Sequence, residues 1–313
     1  MIVWIMAAGF INVLKPPGPT SREVVERLQE ILGIDKAGHG GTLDPLACGV
    51  LPVALGRCTR LLEYVQGERK CYRVEVVFGI KTTSHDLEGE VVERSPVERL
   101  EEERLLRALP HFTGEIEQVP PMFSAIRHRG RRLYDLAREG KELPRQARKI
   151  IVYELKVIKI WPEGPYPRAL LEVTCSKGTY VRTLCHDLGE FLGYGAASQF
   201  LLRTQAGPFK IETAWALEEI VRVAKEGRRD FLLPPEAGVQ HLPAVVVKKE
   251  GAKRFLDGSF VPVGLWKEWP SGLCRGARVR LHKEEGGFLG IALYSERMGE
   301  GFLKPEKVIF TLD

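Results

Sequence analysis

A single carboxylate set among glycines is the first place on this chain where chemistry could be done. Residues 38–49 read Gly-His-Gly-Gly-Thr-Leu-Asp-Pro-Leu-Ala-Cys-Gly, with four glycines and a proline in twelve positions. That density leaves little room for helix or strand and predicts a shaped loop. Its polar cargo is His39, Thr42 and Asp44. Pro45 holds the backbone of Asp44 extended or turned, while the glycines let a ligand or another backbone come close. The carboxylate could serve there as a nucleophile or a counter-charge. On spacing alone the same aspartate could equally be a turn residue.

Three further groups could join it. Arg182 lies in Ser176-Lys177-Gly178-Thr179-Tyr180-Val181-Arg182-Thr183-Leu184, a strand-to-helix junction. An arginine early in a helix that faces a sheet is costly unless paired, and its neighbours Val181 and Leu184 argue against a solvated face. Tyr72 sits in residues 71–79, where Tyr72, Val74, Val76 and Phe78 alternate onto one face; an aromatic there is usually core. Residues 127–149 carry nine Lys/Arg against three Asp/Glu. The chain as a whole has a net charge of +5, so this one segment holds the basic excess. It reads as an arm for a polyanion, with Arg127, Arg129, Arg131 and Arg132 as phosphate contacts. Gly130 predicts a hairpin within 128–132, followed by a helical turn over 133–138 that Gly140 closes.

The elements that must position these groups can be read in order. Residues 10–14 form a strand ending in Lys15-Pro16-Pro17-Gly18, a turn that brings Lys15 toward the site. Thr20 and Glu23 make a capping box for an amphipathic helix stopped by Gly33. Residues 50–55 are a strand and 59–65 a short helix. Ser95, Pro96 and Glu98 open a second capped helix, apolar at Leu105, Leu106 and Leu109. Residues 150–160, 168–175 and 199–206 are strands, the last containing Leu201 and Arg203. A helix runs to residue 192 with its stop at Gly193, and another spans 213–225. Residues 231–243, with three prolines and no periodicity, predict a linker. Beyond it, 244–313 forms a small β-rich unit, with strands near 245–247, 277–281, 289–294 and 307–312 and a helical turn over 252–256.

Length and composition bound the rest. The 313 residues imply two domains or one with an appendage, and 44% apolar content supports a buried core. Six cysteines without C-x-x-C spacing fit free thiols in a reducing cytoplasm better than zinc. The apolar residues 1–10 are too short to span a bilayer and lack a basic leader region. Asn12 is the only asparagine, a depletion of heat-labile amide that suggests a thermophilic source.

The eleven residues from His39 to Gly49 resemble, without a gap, the catalytic loop of the TruB family of tRNA pseudouridine synthases. The likeness continues through Lys70-Cys71-Tyr72-Arg73-Val74, the G-T-Y-V-R run at 178–182 and the 127–149 insertion. It implies an α+β pseudouridine synthase fold: a mixed, largely antiparallel sheet with flanking helices and a thumb insertion over 127–149. Catalytic residues 1–235 would be followed by a PUA-like RNA-binding domain over 244–313. By the same resemblance Asp44 is the nucleophile and Arg182 its partner. Tyr72 is catalytic, stacking on the target base and needed for turnover, with its hydroxyl a candidate proton acceptor in the later steps; His39 is the base-flipping histidine, Leu201 lines the base pocket, and Tyr180 lies against the RNA. Relatives carry an extra aspartate where Thr83 stands here.

The implied reaction isomerises uridine 55 in the tRNA T loop to pseudouridine. It breaks a C–N glycosidic bond and remakes it as C–C with no cofactor or metal, on a uridine extruded from its stack. The expected enzyme is a cytoplasmic monomer, bound to the T-stem loop and through its C-terminal domain to the acceptor end, with no membrane contact. Three other readings stand beside it. A non-catalytic tRNA-binding or tRNA-folding protein would lose nothing with Asp44→Asn. A hydrolase would want a second carboxylate or a metal. A guide-RNA-dependent relative would lack the long thumb.

Overall fold

In the computed structural model, residues 8–297 and 299–309 are described. Among them an eleven-stranded mixed sheet carries the N-terminal three quarters of the chain, and a six-stranded sheet carries the rest. The central order of the large sheet is Trp215–Ala216, Gly9–Lys15, Cys48–Leu55, Ala196–Ala206, Lys70–Phe78, Arg168–Cys175, Arg148–Trp161 and Gly114–Gln118. Most neighbours are antiparallel. Ala196–Ala206 runs parallel to Cys48–Leu55, with Leu202 opposite Cys48 and Arg203 opposite Gly49. That short parallel seam lies where the catalytic-type loop enters its strand. Gly49 has φ 108°, and a Cβ there would stand 2.2 Å from the Arg203 carbonyl oxygen, so only glycine permits this approach.

Helix Ser21–Leu32 forms as its caps require. Thr20 and Glu23 complete the capping box, and Gly33 ends the helix in the left-handed region at φ 61°. Val24, Val25, Leu28 and Leu32 bury against Ile11, Val13, Leu51 and Val53. On the other half of the sheet, helix Val181–Phe191 packs Val181, Leu184, Cys185 and Leu188 against Val74, Val76, Phe78 and Val173. The alternation of Tyr72, Val74, Val76 and Phe78 onto one buried face is as the spacing predicts. The smaller sheet encloses its own core, which includes Val247, Phe255, Trp266, Val279 and Leu303.

Several expectations change. The box at Ser95 does not form: helix Glu102–Ala108 starts seven residues later, and Ser95 Oγ donates to Glu93 instead. Leu106 is exposed. Residues 37–39 are a short strand rather than loop, because Ala37–His39 pairs with Cys48–Leu55. The helix expected from 213 begins at Leu217, since Trp215–Ala216 pairs with the first strand. Residues 231–243 are not a free linker. Leu232–Leu233 pairs with the first strand, and Phe231 and Val239 are buried. The last strand is Glu300–Val308, and residues 310–312 of the expected strand lie outside the described residues. Residues 1–7 of the apolar N-terminal stretch are outside them too. No described helix is long and apolar enough to cross a membrane.

The two sheets share a packed seam. Phe288, Ile291 and Ile309 join Phe10, Cys58, Leu61 and Tyr64 in one apolar cluster. Polar contacts lie alongside: Arg60 donates to the Val308 carbonyl at 2.9 Å, and Lys307 meets Glu63 at 2.7 Å.

Candidate active site

The loop around Asp44 has few ladder hydrogen bonds of its own, so side chains take their place. Arg203, 1% exposed and in a strand interior, donates Nε to the Val50 carbonyl at 2.7 Å. Its Nη2 reaches the Gly41 carbonyl at 2.9 Å and its Nη1 the Thr42 carbonyl at 3.4 Å. Ser21 Oγ both donates to the Leu43 carbonyl (3.0 Å) and accepts from the Leu43 amide (2.8 Å). Lys15 Nζ donates to the carbonyls of Pro16, Pro45 and Ala47 at 2.9, 2.7 and 2.8 Å. The loop is thus clamped on both flanks of Asp44.

Lys15, expected to turn toward the site as an RNA contact, is fully buried with all three donors spent on carbonyls, so in this structure it shapes the loop. Burial pushes its ammonium down to about 8, with the charges of Cys48 and Asp44 opposing.

Asp44 and Arg182 come together across 138 residues of sequence, with Asp44 Oδ2 2.9 Å from Arg182 Nε. The Asp44 side chain keeps 40% of its surface open, while that of Arg182 keeps only 6%. The guanidinium is held from behind. Its Nη1 donates to the Ser84 carbonyl (2.7 Å) and Asp86 Oδ2 (3.1 Å), and its Nη2 to the Phe123 carbonyl (2.9 Å). Asp86 is fixed in turn by Ser84 Oγ at 2.5 Å and the Glu88 amide at 3.2 Å. Buried arginine is tolerated because its acceptors are pre-placed and partly anionic. Gln118 pins the start of the arginine helix: its Oε1 accepts from the Tyr180 amide at 2.8 Å and its Nε2 donates to the Tyr180 carbonyl at 3.1 Å.

The pair opens into a cleft of about 540 Å³. Its lining includes Asp44, Tyr72, Tyr180, Arg182, Leu201 and Arg203. Five of the residues singled out in the sequence, Asp44, Tyr72, Tyr180, Arg182 and Leu201, are therefore brought to one cavity. Burial pushes the phenols of Tyr72 and Tyr180 up, and the Arg203 charge works against that at Tyr72. Lys70 also lines the cleft, with its ammonium pushed down to about 8 by burial and by Arg203.

His39 is not in the lining. Its Nδ1 is buried with no hydrogen-bond partner among the described residues, and burial followed by Arg203 pushes its imidazole down. The arginines of 127–132 stand outside the cavity. Arg127–His128 pairs with Arg131–Arg132 in the expected hairpin, with Arg129 and Gly130 in the left-handed region. Arg127, Arg129 and Arg131 are exposed. Arg131 is paired with Glu139, and Arg132 donates to the Tyr134 hydroxyl. Where this arm rejoins the sheet, Arg148 and Lys149 reach the cleft mouth.

Asp86, Arg203, Lys70 and Gln118 carry structural work to which sequence reading gave no role. A charged residue in an apolar strand, as at Arg203, was the available signal. The others have no periodicity that marks them. No cluster of three or more His, Cys, Asp or Glu fit for a metal occurs among the described residues.

Comparison with known proteins agrees with this geometry. Residues 29–181 match the model for the N-terminal domain of TruB family pseudouridylate synthase, and residues 182–240 that for the tRNA pseudouridylate synthase B C-terminal domain. The tRNA pseudouridine synthase B of Moorella thermoacetica is 50% identical over 305 residues, covering 97% of this chain and all of that protein. That of Streptococcus pneumoniae is 45% identical, covering 81% and 87%. Among solved structures, an H/ACA RNP bound to a substrate RNA containing 2'-deoxyuridine superposes with TM-score 0.76 at 28% identity, covering 97% and 85%. A Cbf5-Nop10-Gar1 complex gives 0.75 at 31%, covering 96% and 85%.

Proposed function

Since the chain belongs to the TruB family of pseudouridylate synthases, isomerases that convert uridine in tRNA to pseudouridine, we propose that its target is uridine 55 of the T loop and that Asp44 is its nucleophile. One observation carries this reading: Asp44 is fixed against a buried arginine at 2.9 Å and left partly open to a cleft of nucleotide size. The Arg182 guanidinium lies against the carboxylate and directs it at the cleft, where it can act as the nucleophile.

The target uridine must leave its stack to reach that depth. Tyr72 offers a ring for the base and Leu201 an apolar wall. His39, on the strand that leads into the Asp44 loop, fills the vacated space in the RNA. Burial pushes the Tyr72 phenol up, and its ring lines the cleft where it can stack on the base. The overall change is balanced within the nucleotide: C1′–N1 breaks, C1′–C5 forms, and the proton lost from C5 is matched by one gained at N1.

We assign catalysis to residues 1–235, RNA gripping to the thumb at 127–149, and a further RNA contact to the PUA-like unit at 244–313. The half-exposed Phe260 and Trp269 of that unit, with Phe302 beside Phe260 at 5.0 Å, suit stacking on the single-stranded acceptor end. We take the enzyme to act as a monomer, and a tRNA substrate supports a cytoplasmic site of action. The likeness to H/ACA proteins favours a guide-dependent enzyme as the second reading. The thumb hairpin and the extent of the tRNA-synthase relatives favour the stand-alone one.

The test is to incubate pure protein with an unmodified tRNA transcript, without cofactor, and to map pseudouridine. Modification at position 55 alone, lost with Asp44→Asn, is the expected result. Modification elsewhere, or only with a guide RNA, overturns the assignment.

A further inference from the structure

Two imidazoles lie stacked beside Arg182, and neither is among the residues that line the cleft. The rings of His85 and His186 are 4.0 Å apart between centroids and within 2° of parallel. His186 is on the arginine helix, one turn beyond Arg182. His85 stands between Ser84 and Asp86, whose carbonyl and carboxylate both hold Arg182 Nη1. Its backbone is left-handed at φ 66°, which is uncommon for a residue with a side chain. Its Nδ1 is 3.2 Å from Thr183 Oγ1, and its carbonyl accepts from Ser198 N at 3.0 Å and Ser198 Oγ at 3.3 Å. The turn is therefore tied to the helix by a ring and to the sheet by a carbonyl.

We propose that His85 and His186 are positioning residues for the isomerisation: their stack fixes the 84–86 turn on the helix, so that Ser84 and Asp86 hold Arg182 at the angle from which Nε meets Asp44. The proposal rests on Asp44 and Arg182 being the catalytic pair.

Burial disfavours charge on both rings. His85 faces His186 and Arg182 from the helix and Arg145 from the thumb segment, with Asp86 beside it on its own turn. His186 faces Glu190 on its own helix and Lys81 from the neighbouring strand. Burial, then the cationic neighbours, push His85 down to about 3. Two neutral aromatic rings can stack where two imidazolium ions would repel.

The experiment measures kcat and KM on an unmodified tRNA transcript for His85→Asn, His186→Ala, His186→Phe and Arg182→Ala, each checked for folding by thermal melting. Asparagine tolerates the left-handed backbone but removes the ring. His85→Asn and His186→Ala each lower kcat about tenfold, the scale of a disrupted aromatic pair, with KM for tRNA unchanged. The double variant is no worse than either single one. His186→Phe keeps a flat partner ring and retains the wild-type kcat, and it carries the test should His85→Asn fail to fold. Wild-type kcat in His186→Ala, an effect confined to KM, or a His186→Phe as impaired as His186→Ala overturns the proposal. Wild-type turnover in Arg182→Ala instead overturns the catalytic pair itself, which separates the two failures.

Discussion

The cations around the Asp44 loop and the cations of the thumb are the same residue types in opposite circumstances. Arg182, Arg203 and Lys15 are buried, and each spends its donors on carbonyls or carboxylates placed around it. Arg127 and Arg129 are exposed, and Arg131 is exposed with one acidic neighbour. Buried cations with pre-placed acceptors act as framework, because moving them would strand charge in a dry interior. Exposed cations hold little folding energy and are free to meet phosphate. Burial and the supply of acceptors, rather than residue type, divide building from recognition.

Substitutions can break that division, and the largest effect belongs to the group both sets serve. Asp44→Asn should lower turnover by a factor of about 10³ or more while tRNA affinity stays within about tenfold; single-turnover assays beside filter binding measure both. Arg182→Ala should be nearly as severe, since it removes the counter-charge and leaves Asp44 and Asp86 facing each other unneutralised. Retention of the wild-type rate would place Arg182 outside the reaction.

Arg203→Ala should act on the fold first. Three carbonyls would be deprived of a charged donor at once, so unfolding free energy should drop by about 3 kcal/mol or more in urea titration. A drop no larger than that of a surface arginine would erase the contrast between the two sets of cations.

The pH dependence sharpens the comparison further. Lys15 and Lys70 lose their protons near 8 in the folded protein and near 10.5 when unfolded. Between those values the unfolded chain binds more protons, so these two groups add stability as pH rises from about 8. Activity should move the other way, because neutral Lys15 has two donors for three carbonyls and the loop loosens. Turnover should therefore fall above about pH 8, and a profile that stays flat well into the alkaline range would contradict the clamp.

The smallest effect per residue belongs to the thumb. Replacing Arg127, Arg129, Arg131 and Arg132 with alanine should leave melting unchanged and weaken tRNA binding. The salt dependence of log Kd should become shallower by roughly one unit for each phosphate no longer neutralised. An unchanged slope would mean that these arginines are merely solvated.

Much of the site is legible in the linear chain. The glycine-built loop marks Asp44, apolar neighbours mark Arg182 as buried, and strand alternation places Tyr72 on the core face. The hairpin at Gly130 and the capped helix before Gly33 depend on neighbours close in sequence, and both form as their residues predict. Expectations fail where distant partners decide the outcome. Residues 231–243 lack a pattern but pair with the first strand, and Lys15 has the character of a substrate contact but is buried beneath the loop.

The amino-acid order by itself determined which residues could do chemistry, where the chain turns, and where positive charge gathers, because these follow from side-chain type and local backbone preference. Only the tertiary structure decided what each charge is for. The Asp86 backing of Arg182 spans 96 residues and the Arg203 clamp on Gly41 spans 162. Such contacts exist only once the fold has brought these distant segments together, and their worth depends on the loss of water around them, which no local pattern records.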